Sequence, residues 1–351
     1  MTVATGTLAL LRATRREPNA TPPVWFLRQA GRYLAEYRAI RARLGLLEIC
    51  AQPEIAAEVT LQPVRRFGLD AAIIFADILL PIVPMGLDLA FAAGEGPVIQ
   101  RPVRKESDVA ALRPVDVEAS LGGVLEAIRL VRAELEGRVA VIGFAGAPFT
   151  IASYVIEGGA SRHFLETKRL MYGAPALWDG LMSRLTTVVA DFLVAQAAAG
   201  AQVLQLFDSW VGALSPGDYR RYVLPYTRRV FDAVRASGVP SIHFGTGTAT
   251  LLEAMVEAGG DVIGLDWRVP LDEGWARIGP ERGVQGNLDP AALFAPKGEL
   301  RARVRDVVRR AGSRPGHIFN VGHGLLPTTP PDRVQLVVDT VREAPAGAGE
   351  S

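Results

Sequence analysis

Cysteine is almost missing from this chain. One residue, Cys50, among 351 excludes an intramolecular disulfide and any cysteine-rich zinc site, and a reducing cytoplasm is the expected home. Histidine is nearly as scarce, and the four present, His163, His243, His317 and His323, show no zinc-ligand spacing. An excess of one charge is lacking too, with 38 Lys and Arg against 37 Asp and Glu. That balance leaves no electrostatic footprint for nucleic acid, so any bound anion must be met locally. Lysine is confined to Lys105, Lys168 and Lys297, none at an expected strand end, which disfavours Schiff-base chemistry. Nearly all the basic charge is therefore arginine, whose number alone reads as compositional bias. A G-x-S-x-G nucleophile elbow is absent.

Long apolar runs are missing as well. The most apolar stretch, AAIIFADILLPIVPMG, is cut by Asp77, Pro81 and Pro84, and reads as a buried strand running into a loop rather than a membrane span. The opening MTVATGTLALLRATRREPNA carries its basic cluster after its apolar run, the reverse of a signal peptide. No membrane partner is expected.

What remains, 49% hydrophobic and 21% charged residues, is the composition of an ordinary globular protein. Short runs rich in β-branched or aromatic residues recur along it: PVWFL from Pro23, AAIIFA from Ala71, VAVIGFA from Val139 and QVLQLF from Gln202. SIHF from Ser241, DVIGLD from Asp261, GVQGN from Gly283 and HIFNV from His317 follow. Between them lie segments of helical spacing, Pro175 to Gly200, Gly217 to Gly238, Thr248 to Gly259 and Pro290 to Gly312, several stopping at Gly. About eight alternations without a long linker predict an α/β protein, a single (β/α)8 TIM barrel, rather than a two-domain doubly wound sheet. All of 1–351 forms one domain on this reading, with its core at about 22–342 and disordered termini, including the tail EAPAGAGES. The Gly- and Pro-rich insertion from Leu79 to Arg113 is expected as a loop or small hairpin after the second strand.

In such a barrel the chemistry lies on the loops after the carboxyl ends of the strands. That rule selects Arg28 and Arg32 in RQAGRY, Asp77, Tyr154 beyond GAPFT, Asp208 and Ser209, Asp266, Asn287, and His323 in VGHG. Arg28 and Arg32 are spaced to turn two guanidinium forks toward one anion cluster; the alternative is that one of them pairs with Glu36. Asp77 interrupts an apolar run where a strand should end, so it needs a partner: a ligand's N–H donors, a metal, or a helix cap. His243 and His317 fall within strand patterns and are expected in the core, whereas Gly322 and Gly324 around His323 permit close approach of a ligand. HFGTGTA, with Gly245 and Gly247 before a helix, is a weak candidate phosphate cradle.

Together PPVWFLRQAGRYLAEYR, IIFADIL, GAPFTIASYVIEGG, QLFDSW, HFGTGT, GLDW, QGNLDP and NVGHG resemble the uroporphyrinogen decarboxylase family of haem biosynthesis, in order from about Pro22 to about Thr329. The chain departs from the family pattern at Leu27, where Met is common, and at Ala35, where Pro is common; neither removes a polar group. The resemblance implies one barrel, a homodimer with its two clefts facing, and loss of four acetate carboxyls from uroporphyrinogen to give coproporphyrinogen, with no cofactor and no metal. It also implies substrate binding by Arg28, Gln29, Ala30, Gly31, Arg32, Asp77, Tyr154, Ser209 and His323, with Asp77 and Arg28 catalytic. Uroporphyrinogen carries carboxylates outside and pyrrole N–H groups inside. The first suit Arg28, Arg32 and His323, with Tyr154 and Ser209 as hydrogen-bonding partners, and the second suit Asp77. Leu27, Phe144 and Phe207 would supply an apolar wall.

Three rivals stand beside this expectation. The zinc- or corrinoid-linked methyltransferases of the same superfamily need Cys or His ligands, and Cys50 stands alone, away from any expected strand end. A metal-dependent lyase would gather Asp77, Asp208 and Asp266 around a divalent ion. A non-catalytic tetrapyrrole carrier would keep the cleft without electrostatics tuned to a cationic intermediate.

Overall fold

The computed structural model describes residues 8–92 and 96–344; most of the tail expected to be disordered lies outside them. Among the described residues nine strands occur: β1 (Ala71–Ile73), β2 (Leu89–Ala92), β3 (Gly96–Ile99), β4 (Ala140–Gly146), β5 (Val203–Asp208), β6 (Ser241–Gly245), β7 (Val262–Gly264), β8 (Gly283–Leu288) and β9 (His317–Val321). Seven of them form one parallel sheet in the order β1-β4-β5-β6-β7-β8-β9. Helices intervene between successive strands of this sheet, the alternating rhythm of an α/β protein. Every residue of β4, β6, β8 and β9 is buried, as strands covered on both faces must be.

The first expected strand is not one. Between Pro23 and Leu27 there is a single parallel bridge, Val24 to Phe319 of β9, and side chains supply part of the remaining hydrogen bonding. Val24 N donates to Asp70 Oδ2, Phe26 N to Gln29 Oε1 and Leu27 N to Asn320 Oδ1. Pro22 and Pro23 have no N–H to offer a ladder, and the run that reads as β makes backbone bonds scattered over several segments: Phe319 N to Pro23 O, Trp25 N to Phe319 O, Asp70 N to Val24 O, Gln29 N to Phe26 O and Leu325 N to Leu27 O. The segment thereby touches both β9 and the residue before β1. Val24, Trp25 and Phe26 are fully buried.

Two expected helices are split by proline. Pro216–Tyr222 and Leu224–Ala236 replace one element, broken at Val223 beside Pro225. The second break, before Pro296, separates a short 3-10 turn, Pro290–Phe294, from Lys297–Ala311. The insertion after β1 contains a 3-10 turn, Leu80–Ile82, then the antiparallel β2/β3 hairpin and the helix Glu106–Ala110. Ile99 N donates to Gly158 O and Val103 N to Val155 O, tying the insertion to the helix Pro148–Glu157. Order begins before the expected core boundary, since Ala9–Thr14 is a helix with Leu10 and Ala13 fully buried. Among the described residues one helix, Pro175–Ala198, is long and apolar enough to cross a membrane by length and composition; its Trp178, Leu181, Leu185 and Phe192 are buried inside the protein.

Candidate active site

The polar rim lies beyond the carboxyl ends of the strands. Asp77 follows β1, is half-buried, and receives Leu79 N on Oδ1 at 2.8 Å. Burial pushes its carboxyl above the ordinary carboxylate range, while the Leu79 N–H and the Arg28 guanidinium pull it back. Among the described residues no ion pair within 4 Å engages Arg28, Arg32 or Asp77; Glu36, the alternative partner for the arginines, is held by Arg66 at 2.8 Å. Arg28 has φ +57, a left-handed conformation that a branched or long side chain adopts only where its surroundings impose it. Its side chain lies against Gly324, in the turn that carries His323.

His323 is half-buried; burial, then the charges of Arg28 and Arg268, push its imidazole below the usual range, so it is neutral at pH 7. The Trp267 ring meets it edge-on with centroids 6.4 Å apart. Tyr154, on Pro148–Glu157, is pushed up to about 12 by burial and by Asp77, against Arg28. It is therefore a hydrogen-bonding phenol, with its ring 3.8 Å from that of Trp210. Ser209 follows β5, and its carbonyl accepts from Thr246 Oγ1. Phe207 meets Phe144 and Phe244 edge-on at 5.4 and 5.8 Å, and Leu27 is buried.

Other expected residues are employed differently. Gln29 is fully buried and structural: Nε2 donates to Ala71 O, Oε1 accepts from Phe26 N, and its carbonyl accepts from Tyr33 OH. Its side chain therefore cannot also hold a ligand at the rim. Ala30 and Gly31 are half-buried and Arg32 is exposed. Asp208 is fully buried and bonded to Thr150. Asp266 is consumed by Arg268, which donates from N at 2.9 Å and Nη1 at 2.6 Å, and by Gly247 N. Asn287 Nδ2 bridges Asp266 O and Val269 O.

Asp77, Asp208 and Asp266 accordingly do not converge, and no group of three potential metal ligands occurs among the described residues. The phosphate cradle fails for a related reason, because Gly247 N already donates to Asp266. His243 and His317 are core residues as expected, the latter pushed down to about 4 by burial. Cys50 is nearer the rim than its place in the sequence suggests: burial and then the Asp77 charge push its thiol up to about 12. Sequence reasoning missed Trp210, Trp267 and Arg268 as rim components, although the motifs QLFDSW and GLDW contained the two tryptophans. Two cavities of about 520 and 500 Å³ open beside Arg15 and Arg16 at the opposite end, where the strands begin, away from all of these groups.

The sequence profile described as "Uroporphyrinogen decarboxylase (URO-D)" matches residues 5–344. A uroporphyrinogen decarboxylase of Sorangium cellulosum is 57% identical over 335 residues, covering 95% of this chain and 96% of the relative. One of Thermus thermophilus is 56% identical over 337 residues, covering 96% and 98%. Among solved structures, a methyltransferase from Methanosarcina mazei superposes with a TM-score of 0.82 at 20% identity, covering 96% of this chain and 98% of that one; that likeness concerns the fold alone. With identity of this extent along nearly its whole length, the chain belongs to the uroporphyrinogen decarboxylase family of carboxy-lyases.

Proposed function

We propose that the chain removes the four acetate carboxyls of uroporphyrinogen III, giving coproporphyrinogen III and CO2, without a cofactor, at the rim centred on Asp77. The observation that carries this reading is the state of Asp77: a half-buried carboxylate with no cation in contact, one oxygen on Leu79 N and free acceptor capacity. Inner pyrrole N–H groups supply the donors such a carboxylate lacks. Arg28 and Arg32, free of carboxylate partners, take the outer carboxylates. His323, Tyr154 and Ser209 hydrogen-bond to others, against the wall of Leu27, Phe144 and Phe207.

Breaking the C–C bond of an acetate arm requires a sink for its electron pair. A proton added to a pyrrole ring carbon makes the ring cationic; the pair then flows into the ring as CO2 leaves. Protonation of the resulting methylene and loss of the ring proton leave a methyl group. Asp77, ionised in a water-poor cleft, stabilises the cation as it forms. A guanidinium with a pKa above about 12 is a poor acid, so the ring proton comes from a water or substrate carboxyl held by Arg28.

On this reading Pro23–Trp25 fills the eighth position of a single closed (β/α)8 barrel, the support being its bonds to both β9 and Asp70. The enzyme works in the cytoplasm as a homodimer with facing clefts, an arrangement supported by the family resemblance and checked by sedimentation. The test of function is anaerobic incubation with uroporphyrinogen, with and without chelator, followed by oxidation and separation of porphyrins by carboxyl number. Products carrying seven to four carboxyls in both arms are expected; tight binding without turnover would return the weight to the carrier reading.

A further inference from the structure

Asp208 is a rim candidate whose side chain is spent inside the protein, and what it touches leads back to the cleft. Its Oδ1 accepts the Thr150 hydroxyl at 3.2 Å, and Thr150 Oγ1 in turn accepts Trp210 N at 3.3 Å. Its Oδ2 lies 3.7 Å from His243 Nε2, whose other nitrogen is 3.4 Å from Met255 O. Asp208, Thr150 and His243 are all fully buried.

A fully buried carboxylate and imidazole cost stability compared with hydrocarbon of the same shape. What they provide is direction. Thr150 has one proton to give and gives it to Asp208, which leaves its lone pairs aimed at the Trp210 N–H. Trp210 is thereby fixed next to Ser209, and its ring forms the platform on which the Tyr154 ring lies at 3.8 Å, with Phe164 at 5.1 Å on the same indole. Thr150 and Tyr154 are four residues apart on one helix and so share a face.

We infer that Asp208, with His243 beside it, is a positioning residue for decarboxylation: it acts through Thr150 and Trp210 to hold the Tyr154 hydroxyl where it meets a substrate carboxylate. This inference rests on the proposed role of Tyr154. A misplacement of the order of 1 Å at a reacting centre costs up to about 100-fold, so a relay outside the cleft can matter as much as a contact within it.

The test is a double-mutant cycle on uroporphyrinogen decarboxylation. Thr150→Val keeps the shape and removes the hydroxyl; a 10- to 100-fold fall in kcat/KM, roughly the range set by such misplacement, is expected, with Thr150→Ser restoring most of it. In a Tyr154→Phe background the same Thr150→Val change should cost less than about threefold, because the group it positions is gone. Equal losses in both backgrounds, or no loss in either, would overturn the positioning role, since a purely structural effect does not depend on the Tyr154 hydroxyl. Should Thr150→Val fail to fold, Asp208→Asn is read in the same cycle with the same expectation. Absence of turnover by the unsubstituted protein would overturn the proposed reaction instead, whereas normal turnover with additive losses overturns this inference alone.

Discussion

Arg28 lies across the backbone of Gly324: a methyl group built on that glycine would stand 2.6 Å from Arg28 Cγ and 2.9 Å from its Nε. The two glycines around His323 are thus small for different reasons. At Gly322 a methyl would meet the backbone of Asp266 and Trp267, which cannot yield. Gly324→Ala meets only a flexible side chain, so the fold should survive while Arg28 is displaced. A fall in kcat/KM of about tenfold or more, the scale of a small misplacement, with Tm within a few degrees of the parent, is the expected outcome from kinetics and thermal melts. Gly322→Ala should instead lose folded protein.

Asp77 is expected to set the acid limb of activity. Burial raises its carboxyl, and Arg28 opposes that shift. If the ionised form stabilises the cationic ring, kcat/KM falls as pH drops through a value above the ordinary 3.8 of an Asp side chain. Arg28→Gln removes an influence that lowers the pKa, so the limb should move to higher pH in that variant. An unmoved limb would assign the titration to another group.

The same shift makes a separate stability prediction. A carboxyl whose folded pKa is raised binds its proton more tightly in the folded state. It therefore favours folding at low pH, and that contribution is lost as pH rises through the folded pKa. Above its raised folded pKa Asp77 is charged in both states and burdens the fold, so Asp77→Asn should lose nearly all turnover yet melt no lower there than the parent. A large drop in Tm would make Asp77 structural rather than catalytic.

How much of this was legible in the residues depends on which forces each position answers to. Strands β4, β5, β6, β8 and β9 were readable because burial on both faces makes them continuous apolar or small-residue runs. Pro23–Leu27 carries the same apolar pattern, but its hydrogen bonds are divided between backbone groups of several segments and the side chains of Asp70, Gln29 and Asn320, a division that no periodicity reveals. The rim rule selected Arg28, Asp77, Tyr154 and His323 because position after an apolar run is a property of the chain. It also selected Asp208, Asp266 and Asn287, and could not tell which face of the strand or loop would be paired: Asp266 next to Arg268 is an ion pair only once the turn folds back on itself. Gln29 illustrates the limit of carrying a role along a motif, because a side chain within RQAGR is spent holding the motif in place.

His323 is predicted to be neutral throughout the physiological range. Burial is the main cause, and the Arg28 and Arg268 charges add to it. Its imidazole proton resonances should titrate below the usual 6.5, and should shift upward in Arg28→Gln. The neutral ring offers one donor and one acceptor rather than a charge. His323→Gln, which keeps a donor, should therefore retain more activity than His323→Ala; equal losses would mean that the ring's packing against Trp267 matters more than its hydrogen bond.

Asp266 allows the metal reading to be tested without relying on activity alone. Its carboxylate is nearly fully buried and receives Arg268 N, Arg268 Nη1 and Gly247 N, so three donors lose their charged acceptor in Asp266→Asn. Arg268 is half-exposed, and solvent recovers part of its loss, which brings the expected destabilisation to about 1–3 kcal/mol, a fall of several degrees in Tm. Because Gly322 packs on the Asp266–Trp267 backbone, loosening this turn should also raise KM through His323. A metal ligand would behave differently: chelator applied to the unsubstituted protein would reproduce the loss of both stability and activity. The expected result is that chelator changes neither, while Asp266→Asn changes both, and a Tm that falls on chelation would restore the metal-dependent lyase.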